Sequence, residues 1–292
     1  MVKIVVVGSA SMDLVVTADK RPKAGETLIG ESFQTVPGGK GANQAVAAAR
    51  LGATVSLIGR VGEDAFGKEI VENLKENGVS VNYVEPVPHL ASGTAHITLA
   101  EGDNSIIFVK GANDEVIPTY LEKAVSTMRE ADMIMVQQEI PEETVEYIAD
   151  FCKRFNKKWL LNPAPARKIS DKVIESATYL TPNEHEFTVM FGEEIRSEVL
   201  SRYPNKLFIT EGKNGVRYFN GVSEEIVPSY VVEPVDTTGA GDTFNAAFAV
   251  AVAEGKAINE ALRFANRAAS ISITKFGAQG GMPTREEVEG NF

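Results

Sequence analysis

The sequence lacks the features that would commit it to several large functional classes. It has one cysteine, Cys152, in 292 residues, so no disulfide can form within the chain. That fits a reducing compartment, and a cytoplasmic location is expected. No apolar run approaches the length that spans a membrane, and residues 1–8 are too short in apolar length for a signal peptide. Three histidines, His89, His96 and His185, are scattered without metal-ligand spacing, so packing or surface roles are expected of them. No basic block is present, and 29 Lys+Arg against 40 Asp+Glu leave a net charge of −11. Nucleic acid is therefore not an expected partner. An acidic chain that binds an anion must do so locally, with backbone N–H groups, a few basic side chains or a metal ion. Internal repeats, low-complexity tracts and linker-like segments are also missing, so residues 1–292 are expected to form one main domain.

What remains has the rhythm of an α/β protein. Hydrophobic residues make up 43% of the chain, enough for a sizeable core. Residues 3–9 form a β-branched run suited to a central parallel strand. Gly8, Ser9, Ala10, Ser11, Met12 and Asp13 follow it without the second and third glycines of a dinucleotide fingerprint, which disfavours a Rossmann dehydrogenase. Further strands are predicted over 55–61, 133–136, 158–161, 178–181, 206–210 and 216–219. Helices are predicted over 45–51, 65–77, 120–129, 142–155, 245–254 and 258–275. Residues 277–283 read as a flexible tail loop. Two regions break this rhythm. Residues 14–17, 26–30 and 33–36 look like strands, and residues 93–99 and 105–109 flank a hairpin signal at Glu101, Gly102, Asp103 and Asn104. Together they predict a small accessory sheet, with insertions at approximately 14–36 and 92–112, covering a site on one face. An apolar second face would call for a partner subunit.

Two glycine motifs carry the chemistry. Late in the chain, Asp236, Thr237, Thr238, Gly239, Ala240, Gly241 and Asp242 lead into an alanine-rich helix. Glycines there bring backbone N–H groups close to a ligand, and the start of a helix offers unpaired donors and partial positive charge. The product is an anion hole suited to a phosphate or to charge developing in phosphoryl transfer. A carboxylate at that position, Asp242, can take a proton from a nearby hydroxyl. Taken alone, the same residues are a tight turn and an N-cap. The second motif is Gly38, Gly39, Lys40, Gly41, Ala42, Asn43 and Gln44. Lys40 and Asn43 suit a polyol, while the small residues also suit helix–sheet packing. Asp13 and Glu139 lie just past strands, where open α/β sheets bind ligands, although each is also an ordinary loop residue. Asn183 and Glu186 form either a capping box or a pair able to order Mg²⁺ and its waters. Residues 211–215 line a nucleotide pocket or simply turn a hairpin.

The two motifs, in this order and separation, resemble those of the ribokinase (PfkB-type) carbohydrate kinase family, and the likeness covers nearly the whole chain. It implies a central, mostly parallel β-sheet flanked by helices with a small β-sheet lid, and an ATP-dependent sugar kinase whose acceptor is D-ribose. By resemblance, Asp242 is the base for the sugar's primary hydroxyl, and the N–H groups of Gly239, Ala240 and Gly241 hold the transferring phosphoryl. Ser11, Met12, Asp13, Gly39, Lys40, Gly41, Ala42, Asn43 and Glu139 would contact the sugar. Asn183, Glu186, Thr210, Glu211, Gly212, Lys213, Asn214, Gly215 and Asn266, with Gly241 and Asp242, would serve the nucleotide and its Mg²⁺. Asp236, Thr238, Ser272, Lys275, Gly277 and Gly281 would surround a monovalent cation such as K⁺. The lid implies a homodimer. The chain departs from the family pattern at Ser11, commonly asparagine, at Gly281, often a serine cation ligand, and at Glu211, commonly apolar. A kinase for another sugar or a nucleoside, such as fructose or adenosine, and a non-catalytic sugar or nucleotide sensor are the alternatives.

Overall fold

The computed structural model describes residues 1–290. In chain order its strands are β1 (Lys3–Val7), β2 (Ser11–Thr17), β3 (Ser32–Gly38), β4 (Thr54–Gly62), β5 (Ser80–Val87), β6 (Gly93–Ala100), β7 (Asp103–Val109), β8 (Met133–Val136), β9 (Trp159–Leu161), β10 (Tyr179–Leu180), β11 (Phe208–Thr210), β12 (Val216–Phe219) and β13 (Glu224–Val227). The main sheet runs β10-β9-β8-β1-β4-β5, and every neighbouring pair is parallel. The unbroken apolar run in β1 has a direct cause. Ile4 and Val6 point into one core and Val5 and Val7 into the other, because both faces of the sheet are covered. The chain moves outward from β1 through β4 and β5, then returns to β8 on the opposite side of β1. That reversal puts a crevice beyond the C-terminal ends of β1 and β8.

Two helices meet over this crevice. The helix Lys40–Arg50 packs against the helix Ala240–Ala253, which also packs against Ile258–Ser272. Residues 242–252 of the second helix are all buried, so alanine there is a packing requirement: small side chains allow close approach, with Phe244 and Phe248 filling the larger spaces. Beyond β10, two parallel bridges, Leu180 to Leu207 and Asn183 to Thr210, join the main sheet to the antiparallel strands β11-β12-β13.

The remaining strands form a separate sheet, β3-β2-β6-β7. Its register sorts the side chains. Asp13, Val15, Val36, Ala95, Ile97 and Phe108 share one face, and Val16, Phe33, His96 and Ile107 share the other. Val15, Ala95 and Ile97 pack together on the first face, whereas Phe33 and Ile107 on the second are 63% and 70% exposed. The hairpin between β6 and β7 turns at Glu101 and Gly102, both with positive φ, as the sequence suggested.

Several expected elements differ. Residues 26–30 are not a strand; Glu26 instead ties Lys20 and the Lys23 N–H into a turn. The tail loop contains a short helix, Ala278–Gly281, followed by Arg285–Glu289. Residues 120–129 are helical but interrupted by a tighter turn at Glu122–Ala124. The strands β5 and β13 were not foreseen. Each lies at a sheet edge with a largely half-exposed, mixed pattern, so neither carries a strong apolar alternation.

Candidate active site

Asp242 occupies the first turn of the helix Ala240–Ala253, whose N-cap, Gly239, adopts φ 78° and ψ 0°. A side chain at Gly239 would meet the Cβ of Ala278 at 2.8 Å, so glycine allows the two loops to touch. No side chain caps this helix start, and a Cβ at Gly241 would meet nothing within 4 Å. The helix therefore opens with backbone donors and free space, the two things an anion needs there.

The Asp242 carboxylate is itself buried and tightly held. Asn43 Nδ2 donates to Oδ2 at 3.0 Å, and Gln44 Nε2 donates to Oδ1 at 3.0 Å. Both donors lie at the start of the helix Lys40–Arg50. That helix start is fixed by Glu139, whose Oε2 accepts from the Lys40 N–H at 2.9 Å and from the Ser9 hydroxyl at 2.5 Å. The glycines of the motif explain how the segment can sit so close. A Cβ at Gly41 would stand 2.5 Å from the Ser9 nitrogen, and one at Gly38 would strike the Asp13 carboxylate at 2.4 Å. At these two positions the glycines serve close packing, of backbone on backbone at Gly41 and of backbone on carboxylate at Gly38. Both readings of the motif thus hold together: packed glycines deliver Lys40 and Asn43 to the cleft.

Charge is concentrated here. Burial pushes the Asp13 carboxyl up to about 7, and the nearby Glu139 and Asp242 carboxylates add to the rise while Lys40 opposes it. Burial also raises Glu139, against the pull of Lys40 and the Ser9 hydrogen bond. Burial alone would lower Lys40. The carboxylates of Asp242, Glu139, Glu186 and Asp13 outweigh it and hold the ammonium above its usual value. One cation thus faces four acidic side chains in a confined crevice, an arrangement that awaits hydroxyl donors.

The structure distributes the other expected residues unevenly. Ser11 lies on the Asp13 face of β2, and its hydroxyl is buried without a hydrogen-bond partner. Met12 and Ala42 send their side chains into the main core, so only their backbone reaches the cleft. Asn183 and Glu186 form a complete capping box, with both Glu186 oxygens accepting from Asn183. Burial raises the Glu186 carboxyl, while Lys40 and the Asn183 N–H oppose that rise. Thr210 ends β11, and Gly212–Asn214 form a tight turn closed by the Glu211 N–H on the Gly215 carbonyl at 2.8 Å. Asn266 Nδ2 donates to the carbonyls of Val227 and Pro228, pinning the segment that leaves β13. Asp236 accepts from the Thr238 N–H and the Gly277 N–H, both at 2.9 Å, and so clamps the two loops at the helix mouth. Ser272, Lys275 and Gly281 lie together beyond Gly277, with the Ser272 carbonyl close to Gly281.

Three polar residues were missed by sequence reasoning: Gln44, Gln137 and Asn162. All are buried, and Gln44 touches the Asp242 carboxylate. The available signal was a glutamine inside an otherwise small-residue helix, a place where a long polar side chain needs partners.

A doubly covered parallel sheet with a buried acidic cleft facing an open helix N-terminus is an arrangement suited to an α/β kinase of small molecules. The chain belongs to the pfkB family of carbohydrate kinases, whose sequence profile matches residues 1–285. It is 65% identical over 289 residues to a ribokinase of Bacillus subtilis, with 99% of each chain covered. It is 49% identical to a ribokinase of Lactococcus lactis, covering 99% of this chain and 96% of that one. Among solved structures, that of Arabidopsis thaliana ribokinase complexed with ribose and ATP superposes with a TM-score of 0.90. The two share 36% identity, with 99% of this chain and 98% of that chain covered.

Proposed function

We propose that this chain is an ATP-dependent ribokinase that phosphorylates D-ribose at O5, yielding D-ribose 5-phosphate and ADP. The observation that carries this reading is the Asp242 carboxylate, buried at the open mouth of the helix Ala240–Ala253 and gripped on both oxygens by amides. Whole-length likeness to ribokinases supports the choice of sugar. In this reading Asp242 takes the proton of the ribose O5 hydroxyl. O5 then forms its bond to the γ-phosphorus as the bond from that phosphorus to the β-bridging oxygen breaks and ADP leaves. Such a transfer needs little covalent help; positioning and charge stabilisation carry it. Asp13, Lys40, Asn43 and Glu139 orient the sugar, with Ser11 and Gly39 beside them. The N–H groups of Gly239 and Gly241 would meet the developing charge, whereas the Ala240 N–H donates to the Thr237 carbonyl at 3.3 Å and would have to leave it to join them. The loop 210–215 receives the nucleotide beside Asn266 and Asn183.

Two metal ions belong to the same reading. Among the described residues no group of three acidic, histidine or cysteine side chains is placed to hold a metal directly. Both Glu186 oxygens are occupied by Asn183, so this pair fits a Mg²⁺ held through water and nucleotide phosphates, where it would neutralise phosphate charge. For a monovalent cation such as K⁺, the donors are all oxygen: the Asp236 carboxylate, Thr238 and carbonyls near Ser272, Lys275 and Gly277. A Cβ at Gly281 would stand 2.0 Å from the Ser272 carbonyl oxygen, so this backbone does not accept a serine ligand. The cation site would rest on backbone carbonyls more than in relatives with serine there.

The sheet β3-β2-β6-β7 acts as a lid in this reading, its Asp13 face over the sugar to exclude water. Its opposite face, with Phe33, Val16 and Ile107 exposed, suits a second copy of the chain in a homodimer. No helix among the described residues is long and apolar enough to cross a membrane, and a cytoplasmic reaction is part of the proposal.

The test is ATP consumption with D-ribose, in potassium and in sodium, for the wild-type chain and Asp242→Asn. The unpartnered Ser11 hydroxyl favours one second reading, a kinase of another sugar or a nucleoside. A substrate panel separates them: a kcat/KM for ribose well below that for another acceptor rejects ribose as the substrate.

A further inference from the structure

Asp242 is held from two sides by different kinds of residue. Asn43, 5% exposed, is itself held by Gln279, whose Nε2 donates to Asn43 Oδ1 at 3.0 Å; Gln279 in turn accepts from Asn73 at 2.7 Å. Gln44 lies behind the carboxylate with no exposed surface. Gln44 Nε2 donates both to Asp242 Oδ1 at 3.0 Å and to Asn162 Oδ1 at 3.1 Å, and its Oε1 accepts from Gln137 Nε2 at 2.6 Å. Gln137 also has no exposed surface, and the packing that places it explains a glycine far away in sequence: a Cβ at Gly8 would meet Gln137 Oε1 at 2.2 Å.

We infer that Gln44 is a positioning residue for phosphoryl transfer, fixing the Asp242 carboxylate through a buried amide relay that runs from Gln137 through Gln44 to Asp242 and Asn162. The inference rests on the reading of Asp242 as the base. A side-chain amide can present either its oxygen or its nitrogen, and only the nitrogen holds a carboxylate. Here the choice is made by neighbours. The Asp242 carboxylate only accepts, so it takes the Gln44 nitrogen, and that leaves the Gln44 oxygen to accept from the Gln137 N–H, while the Gln137 oxygen is buried without a partner. Gln44 cannot touch sugar because it is sealed beneath the carboxylate. Asn43 can be recruited by a sugar hydroxyl, and then Gln44 is the donor that stays.

The experiment uses the full chain and three variants: Gln44→Met, which keeps length but removes the amide; Gln44→Glu, which keeps shape but sets a second carboxyl beside Asp242; and Gln137→Met, which removes the donor to the Gln44 oxygen. Steady-state kinetics are measured across pH with the best acceptor of the substrate panel, alongside thermal melting. The other charged groups around Asp242 are Asp13 from β2, Lys40 from the helix Lys40–Arg50, Glu139 beyond β8 and Glu186 from the helix Glu184–Phe191. They are common to all variants, so a shift relative to wild type reports on position 44.

For Gln44→Met, kcat should fall about 10- to 100-fold, with KM for sugar and ATP within about threefold of wild type. In Gln44→Glu the acid limb of kcat should move upward by roughly one pH unit, because neighbouring carboxyls cannot both ionise freely. Gln137→Met should give the same kind of loss, smaller in size. The proposal is overturned if both Gln44 variants keep kcat within about twofold with an unmoved acid limb, or if their loss lies wholly in KM. It is also overturned, together with the reading of Asp242, if the wild-type chain phosphorylates no acceptor. An active wild type with indifferent Gln44 variants removes only the relay.

Discussion

The two halves of the cleft are built by different means. On the proposed sugar side, Asn43, Glu139 and Asp242 are buried side chains fixed by other side chains or by a single backbone N–H, with Asp13 buried beside them. On the proposed nucleotide side, a short turn at 211–215 is held by its own backbone, and the neighbouring segment leaves Val231 and Val235 exposed. The buried charged contact in this turn is Glu211. Its buried carboxylate accepts from Arg217 on both oxygens, at 2.6 and 3.1 Å, and from Arg196 at 3.1 Å. The contrast suggests a division of labour. The acceptor, which must present one hydroxyl among several, meets pre-set charges. The nucleotide, with a large surface and a repeating phosphate chain, meets backbone.

That comparison can be broken from its strongest end. Asp242→Asn should cost roughly 10²- to 10⁴-fold in kcat, the usual contribution of a general base, with the protein still folded. Undiminished turnover would remove the sugar side's central group. The next largest effect is expected at Asp13. Sugar hydroxyls donate best to an ionised carboxylate, and this carboxyl is raised to about 7. Ribose affinity should therefore weaken as pH falls through about 7, which calorimetry across pH 5.5–8.5 (roughly a unit and a half either side) would register. The same shift has the opposite sign for stability. The folded-state value lies above the ordinary 3.8, so ionising Asp13 opposes folding, with a penalty that builds between about 3.8 and 7 and is complete above. Asp13→Asn should thus melt higher than wild type at pH 8 (about one unit above the shifted value) while losing ribose. A lower melting temperature would contradict the account of a strained, pre-set charge.

A smaller effect sharpens the nucleotide side. Glu211→Leu strands two arginines that keep partial access to water, so the expected stability loss is about 1–2 kcal/mol. KM for ATP should rise several-fold, about 3- to 10-fold, with kcat at saturating ATP retained. A fall in kcat with unchanged KM would place Glu211 in the chemistry instead of in the loop. Smallest of all should be Phe33→Asp on the outer face of the sheet β3-β2-β6-β7, the proposed lid. It should shift sedimentation toward monomer and leave turnover per chain within about threefold. A wild-type chain that is already monomeric would remove the proposed partner surface.

The same contrast explains what was legible in sequence. The side chains proposed for the chemistry could be picked out by place: Asp242 after its glycines, Lys40 and Asn43 among theirs, and Glu139 past a buried strand; Asp13, read as a residue past the first strand, lies within β2 instead. The parallel sheet was readable because β1 and β8 need apolar residues on both faces, and the helix Glu142–Phe155 was marked by clean periodicity. Backbone-defined parts were not. The short helix Ala278–Gly281 is hidden in a glycine-rich stretch, and edge strands β5 and β13 lack alternation. Residues 26–30 looked like a strand from Thr27, Leu28 and Ile29, yet Ile29 is almost fully exposed, so local β propensity found no partner strand. Asn183 and Glu186 show a different limit: one spacing serves a capping box and a metal-associated pair equally well, and only geometry reveals that the box is made. Gln44 was invisible as a functional residue because nothing in sequence says which helix face meets Asp242, some two hundred positions later.

The account's central claim is that a terminal sugar hydroxyl meets Asp242 at the mouth of the helix Ala240–Ala253. The most direct measurement is a crystal structure of the chain with D-ribose and a non-hydrolysable ATP analogue. The account predicts ribose O5 within hydrogen-bond distance of an Asp242 oxygen, about 2.6–3.2 Å, on the side facing the γ-phosphorus. Ribose bound with O5 beyond that reach, or turned away from the phosphate chain, would contradict it.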